Sequence, residues 1–396
     1  MSIELNKEEQ DFQTKKVSIL ASAHAMHDTY TAFLPALLPV LIEKFSMTNT
    51  AAGLLSVFLQ VPSLLQPLIG RLADRRNLKL MIVLSPAITG VAMSLLGIAP
   101  SYGILILLLL SAGISSASLH AVAPVLGSTF SGSKLGKGMS FWMVGGELGR
   151  ALGPLIIVTA IAYLEPGGLP WLMIGGILMS VFLFGKLDGI TTRPKKHPIS
   201  SHWWQAIKKM KHIMGPVAVL LFTRSMVSAT LTTFLPTYLK SQGSTLWVAG
   251  ASLTILQVAG MLGALIAGPL SDRFGRRKLL FSSYLITPIL MFFFIQSDGI
   301  LKILLLVLLG FFAIAIVPVL MAVVIENFSD NRSFANGVYM AISFILHSMA
   351  ILLVGYLSDL VDLRFTFLIS AAVLPLGLLF IKLLPKTNGN AIQPGL

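Results

Sequence analysis

A few ionisable residues stand inside otherwise apolar runs: His24 and Asp28, His120, Glu147 and Arg150, Arg224, and His347. Such a group at membrane depth is expensive and normally faces a wet cavity or a partner. His24 and Asp28 are four apart, which on a helix sets a titratable imidazole beside a carboxylate. That pair, together with Glu147, has the chemistry of proton coupling; the competing reading is that Asp28 fixes helix packing by bonding a neighbouring backbone or hydroxyl. Glu147 and Arg150 are three apart and could pair along one face, which by itself would also explain burial of the guanidinium. Arg224 has no acid near it in its own run. Its counter-charge must come from another helix or from substrate, and a guanidinium holds a carboxylate, phosphate or phosphonate bidentately. Arg150 and Arg224 are thus the expected binding groups for a small anion. His120 follows Ser115-Ser116-Ala117-Ser118-Leu119, a small polar face suited to a cavity wall, and His347 is the remaining candidate for such a wall. For both, a packing role is the alternative. His27 lies about 100° round the helix from Asp28 and is expected to pack.

These side chains need apolar helices to hold them. Hydrophobic residues make up 55% of the 396 and charged ones 11%, which excludes an ordinary soluble globule. About 20 apolar residues span a bilayer, and roughly twelve such runs can be read between charged or Pro/Gly breaks. The start, Met1 to Lys16, is polar with no cleavable apolar core, so the first membrane helix is expected to direct its own insertion. Cysteine is absent, which removes disulfides and thiolate metal sites. No metal-ligand spacing, nucleophile elbow or phosphate-cradling loop appears. No metal, no cofactor and no enzymatic activity are therefore expected.

The net charge of +13 is sorted by side. With the amino terminus inside, one face receives Lys7, Lys15, Lys16, Lys134, Lys137, Arg332, Lys382 and Lys386, whereas the other receives only Lys44, Lys240, Lys302 and Arg364. This bias sets both termini in the cytoplasm, with the basic loops on anionic lipid headgroups and no need of nucleic acid. The one long polar break, 189–212, carries Arg193, Lys195, Lys196, Lys208, Lys209 and Lys211 beside Trp203 and Trp204. It reads as a cytoplasmic linker with a short interfacial helix, between a six-helix bundle at 1–188 and another, with a short tail, at 213–396.

The halves repeat one another. Gly70-Arg71-Leu72-Ala73-Asp74-Arg75-Arg76-Asn77 recurs half a chain length later as Gly268-Pro269-Leu270-Ser271-Asp272-Arg273-Phe274-Gly275. Phe33-Leu34-Pro35 recurs as Phe234-Leu235-Pro236, and Leu59-Gln60-Val61 as Leu256-Gln257-Val258. A fixed internal period marks a duplicated protein. Parallel repeats of this kind hold a substrate near the midplane and work by rocking of one half against the other. Each copy of the first motif reads as a tight basic loop joining two helices. Gly70, Asp74 and Arg75, with Gly268, Asp272 and Arg273, are the residues expected to gate the cytoplasmic side.

The paired loops resemble the loop signature of the major facilitator superfamily of transporters. Gly149-x-x-x-Gly153-Pro154 resembles the fifth-helix signature of its antiporters, with close helix packing as the plainer reading of those glycines. Taken with His24-x-x-x-Asp28, Phe33-Leu34-Pro35-Ala36-Leu37-Leu38-Pro39, His120 and Gly145-Gly146, the chain looks like the fosmidomycin-resistance branch, bacterial drug exporters of the inner membrane. The resemblance implies an all-α membrane protein of twelve transmembrane helices in two pseudo-symmetric six-helix bundles. It further implies a monomer that exports a small anionic drug or metabolite against protons, with Gly149, Gly153 and Pro154 in conformational gating. An uptake symporter or uniporter, or a non-transporting receptor, are the alternatives.

Overall fold

The computed structural model describes residues 12–73, 76–132, 134–187, 203–328 and 332–385, and among them every regular element is a helix. In lipid a backbone has no water to bond, so an apolar chain must satisfy its own N–H and C=O groups, and helices do this within one segment. Ten of the helical segments are long and apolar enough to cross a membrane. One of them, Leu135–Lys186, has 52 residues. At about 1.5 Å per residue it far exceeds the roughly 30 Å of a hydrocarbon core. It is broken at Glu165 (φ 55, ψ 172), where Pro166 bars the preceding residue from helical geometry. Two further helices, 14–31 and 33–45, fall outside those ten, the first for its lysines, histidines and Asp28 and the second for its length of 13 residues.

The described residues fall in two compact units, one drawn from 1–45 and 58–198, the other from 46–57 and 199–396. The first holds α1 (Thr14–Thr31), α2 (Phe33–Phe45), α4 (Gln66–Ala73), α5 (Lys79–Ser94), α6 (Tyr102–Ser131), α7 (Leu135–Gly168) and α8 (Met173–Lys186). Helix α3 (Asn49–Gln60) begins in the second unit. The Asp359 carboxylate there accepts from the backbone N–H of Asn49 at 2.7 Å and of Thr50 at 2.9 Å. The second unit continues with α9 (Trp203–Ser228), α10 (Leu235–Ser241), α11 (Leu246–Phe274), α12 (Arg276–Gln296), α13 (Gly299–Asn327), α14 (Arg332–Leu360), α15 (Leu363–Val373) and α16 (Gly377–Ile381). Trp203 and Trp204 open α9 itself, so the described end of the polar break is the first turns of a long helix; residues 189–202 lie outside the described ones.

The repeated Phe-Leu-Pro triplets interrupt their helices in the same register. Pro35 has no N–H for the carbonyl of Thr31, where α1 ends. Pro236 likewise frees the carbonyl of Thr232, inside a π-helical turn at Ala229–Phe234 that separates α9 from α10. Elsewhere helix starts take side-chain caps. Thr245 accepts from Val248 N at 3.3 Å, and Asp362 accepts from Phe365 N at 2.6 Å.

Each unit has its own apolar core. Leu20, Ile82, Leu119 and Leu183 meet in the first, and Phe234, Tyr238, Phe294 and Phe367 in the second. Leu107, Leu178, Leu265 and Leu304 are exposed, as expected of side chains that face lipid.

The repeated basic motif departs from the tight loop expected. Gly268 to Phe274 is still helical, and the turn to α12 is made by Gly275 alone at φ 93, a conformation that glycine adopts without strain. In the first copy Asn77 stands at the equivalent place, and its Oδ1 accepts from Lys79 N at 3.1 Å to start α5. Asp74 and Arg75 lie outside the described residues.

Candidate functional site

Helix α7 approaches α1 through glycines spaced by four. A Cβ at Gly145, Gly149 or Gly153 would overlap the carbonyl oxygens of Ala21, Ala25 and Thr29, which are also spaced by four. Gly146 has the His24 ring where its own side chain would be. This contact supports the packing reading of these glycines. Pro154 is buried in α7, and the helix continues past it. Close approach at 149 and 153 carries the next charged residue, Arg150, onto α1.

Asp28 is buried, and Arg150 Nη1 donates to its Oδ2 at 2.7 Å. The other amino group, Nη2, donates to Glu147 Oε1 at 2.5 Å. One guanidinium therefore serves two carboxylates, one on its own helix and one on α1. The expected Glu147–Arg150 pair is present, but the partner from α1 was not foreseen. Charge-assisted bonds of this kind are the strong ones, and neither acid is left unpaired in a dry setting.

His24 and His120 join the same cluster. His24 Nε2 lies 3.3 Å from Asp28 Oδ2, and His120 Nε2 lies 3.8 Å from Asp28 Oδ1. The two Nε2 atoms are 3.1 Å apart. Each ring is fixed from behind. His24 Nδ1 donates to the Trp142 carbonyl at 2.8 Å, and His120 Nδ1 donates to the Ser116 carbonyl at 2.9 Å. A carbonyl can only accept, so each Nδ1 carries its proton and each Nε2 is the ring atom turned toward Asp28. The Trp142 indole stacks on His24 with centroids 3.8 Å apart and planes 15° apart. Three atoms able to ligate a metal, from His24, Asp28 and His120, thus converge within 4.8 Å of one another. His27, as expected, packs: it is fully buried, and neither ring nitrogen has a hydrogen-bond partner.

In the second unit Arg224 projects from α9 with its Nε buried and unpartnered, and no described acid forms an ion pair with it. Tyr284, Tyr339 and His347 lie within electrostatic range of its charge. Tyr284 donates its hydroxyl to the Leu220 carbonyl at 2.6 Å. His347 thus neighbours Arg224, while His120 belongs with Asp28. At the repeated motif, Asp272 pairs with Arg276, which also reaches Glu326 at 2.7 Å and so ties α11 and α12 to the end of α13. Arg273 stacks over the Phe274 ring at 5.5 Å. A Cβ at Gly70 or Gly268 would meet nothing within 4 Å.

Sequence reasoning missed Trp142 altogether and read Ser116 only as part of a polar face. Both hold a histidine through a backbone carbonyl, which carries no residue signature, and Trp142 adds its indole stack on His24. The spacing of Gly145, Gly149 and Gly153 against Ala21 and Ala25 was the available signal for the α1–α7 contact.

Residues 20–263 and 248–394 match the sequence pattern of the Major Facilitator Superfamily. The fosmidomycin resistance protein of Escherichia coli K12 is 23% identical over 374 residues, covering 92% of this chain and 91% of that protein. The multidrug resistance protein MdtG of Citrobacter koseri is 25% identical over 335 residues, covering 75% and 79%. Among solved structures, a bacterial homologue of the human lysosomal transporter Spinster, inward-facing and occupied, superposes with a TM-score of 0.77 at 15% identity over 94% of this chain and 96% of that one.

Proposed function

The chain belongs to the Major Facilitator Superfamily, and from that premise we propose that it is a proton-coupled exporter of small anionic molecules. It is a multi-pass membrane transporter with efflux-type relatives. The observation that carries the finer reading is the single guanidinium of Arg150 shared between Asp28 and Glu147. An anionic substrate competes with those carboxylates for Arg150. Once released, Glu147 or Asp28 takes up a proton, because a carboxylate without its counter-charge is costly at membrane depth. His24 and His120, with their Nε2 atoms beside Asp28, are placed to pass that proton on. Arg224, a guanidinium without a described carboxylate partner, receives anionic charge in the second unit, with His347 beside it.

The wider frame of this proposal is twelve transmembrane helices in two pseudo-symmetric bundles, working as a monomer by alternating access. The 52-residue segment counts as two passes and 14–45 as one. Both termini lie in the cytoplasm, and the membrane is the bacterial inner membrane, with lysines and arginines on anionic lipid. The repeated motif, including Gly70, Asp74, Arg75, Gly268, Asp272 and Arg273, latches the cytoplasmic side, and the Arg276 pairs with Asp272 and Glu326 support that role.

The test is flux in proteoliposomes with an imposed pH gradient, using a panel of small phosphonates and carboxylates. Gradient-driven movement of an anion, opposite in direction to protons, is expected. Flux of an anion that ignores the gradient would reduce the protein to a uniporter, and co-directional flux would make it a symporter.

A further inference from the structure

The geometry points to His24, Asp28 and His120 as a binding site for a divalent transition-metal ion of the zinc class. The site shares side chains with the proton reading above, but it rests on their placement and not on coupling.

The two Nε2 atoms face each other at 3.1 Å, a separation that requires a proton or a metal cation between them, because two bare lone pairs would repel. Something positive belongs between them. The nearby charges agree: Asp28 and Glu147 are two carboxylates against the one guanidinium of Arg150, which leaves the cluster with a net negative charge. A tetrahedral zinc ion with bonds of ~2.0–2.1 Å keeps its ligand atoms about 3.3 Å apart. The two nitrogens are 3.1 Å apart, His24 lies 3.3 Å from Asp28 Oδ2 and His120 3.8 Å from Oδ1. One ligand atom from each residue can be taken with all three within 4.8 Å of one another, so one ion reaches all three groups with side-chain adjustments.

The outer shell is also that of a metal site. A ligating histidine characteristically donates its other N–H to a carbonyl or carboxylate, which fixes the tautomer and aims the ligand atom. Trp142 and Ser116 supply those carbonyls. A ligating carboxylate is itself held by hydrogen bonds. Arg150 provides one on Oδ2 while Glu147 offsets its charge, and Oδ1 of Asp28 accepts no hydrogen bond among the described residues. Two imidazoles and one carboxylate suit zinc, cobalt or nickel, whereas magnesium and calcium prefer all-oxygen sets. Three protein ligands leave a fourth position for water or an anion oxygen. The way in lies beside His120 and Arg150, whose side chains are 28% and 37% exposed while those of His24 and Asp28 are 4% exposed.

The experiment titrates purified, EDTA-treated full-length protein in detergent with Co²⁺, then with Zn²⁺, in the absence of substrate or gradient. One equivalent of Co²⁺ is expected to give the visible absorption of a four-coordinate ion. Zn²⁺ should bleach it, and excess Mg²⁺ should not. His120→Gln should weaken binding at least about tenfold, and His24→Gln should do the same. His27→Gln, a neighbouring histidine outside the ligand set, should bind as the wild type does. If His24→Gln fails to fold for want of its Trp142 stack, His120→Gln decides. Absence of saturable Co²⁺ binding by the wild type, or wild-type affinity in His120→Gln, overturns the site. Proton-driven flux measured in EDTA buffer separates the two readings. Metal binding without gradient-driven flux leaves the metal site standing and removes the coupling role; flux without metal binding does the reverse.

Discussion

Arg150 on α7 donates to Asp28 on α1 at 2.7 Å across 122 residues of sequence. That bond makes the two helices one electrostatic unit, and the glycines of α7 bring their backbones close enough for it to form. Removing Arg150 takes its counter-charge from Asp28 and Glu147 together, whereas removing Asp28 leaves Arg150 its bond to Glu147. Arg150→Ala leaves two carboxylates in a poorly hydrated site and is expected to lower stability by about 2–4 kcal/mol; the partial exposure of the guanidinium tempers the full cost of a broken buried pair. Asp28→Asn in the same chain should recover much of the loss. Thermal unfolding of the two single variants and the double variant forms the cycle, and strictly additive losses would deny the pairing.

Glycines of this chain should divide sharply on substitution. Gly149→Ala drives a methyl into the Ala25 carbonyl and should destabilise by about 1–3 kcal/mol, the usual cost of overpacking. Gly268→Ala has open space and should change stability by no more than about 0.5 kcal/mol. If Gly268 serves gating, that stable variant should still transport more slowly. Unaltered flux by Gly268→Ala would remove it from the gate.

Asp28→Asn keeps size and hydrogen bonding but cannot carry a proton as a carboxylate does. Gradient-driven flux should be abolished while ligand binding survives. Full gradient-driven flux in this variant would shift the coupling role to Glu147, and Glu147→Gln would then be the variant that loses it.

Arg224 is the guanidinium without a described carboxylate partner. Arg224→Lys keeps the charge and loses the planar fork, so affinity for a carboxylate or phosphonate should fall by about 1–3 kcal/mol. Arg224→Ala should lose binding altogether. The informative comparison is an anionic ligand against its neutral ester, measured by calorimetry on wild type and both variants. Equal affinity of the wild type for acid and ester would mean selection by shape and apolar contact.

Cysteine is absent from the chain, so single introduced cysteines report topology without background. Residues 77 and 274 should both be labelled only from the cytoplasmic side. Labelling of either from outside by an impermeant maleimide would reverse the orientation inferred from the basic residues.

Much of this protein follows from one-dimensional facts. Long apolar runs in lipid have helices as their workable backbone, so composition alone decides the fold class. Pairs within a helix were equally legible: His24 with Asp28 and Glu147 with Arg150 meet because residues three and four apart share a face. The duplication was visible in its motifs, and Phe-Leu-Pro breaks the helix in both copies because proline lacks the same N–H each time. What the sequence left open depends on which helix faces meet. The distance between Asp28 and Arg150, the meeting of His24 with His120 across 96 residues, and the carbonyl of Trp142 behind His24 all require α1, α6 and α7 to pack in one rotation and one register. That register is chosen where glycine removes the Cβ and lets backbones touch. A spacing of four says that a helix can be approached closely; only the packed structure says by which partner, and so which charges end up together.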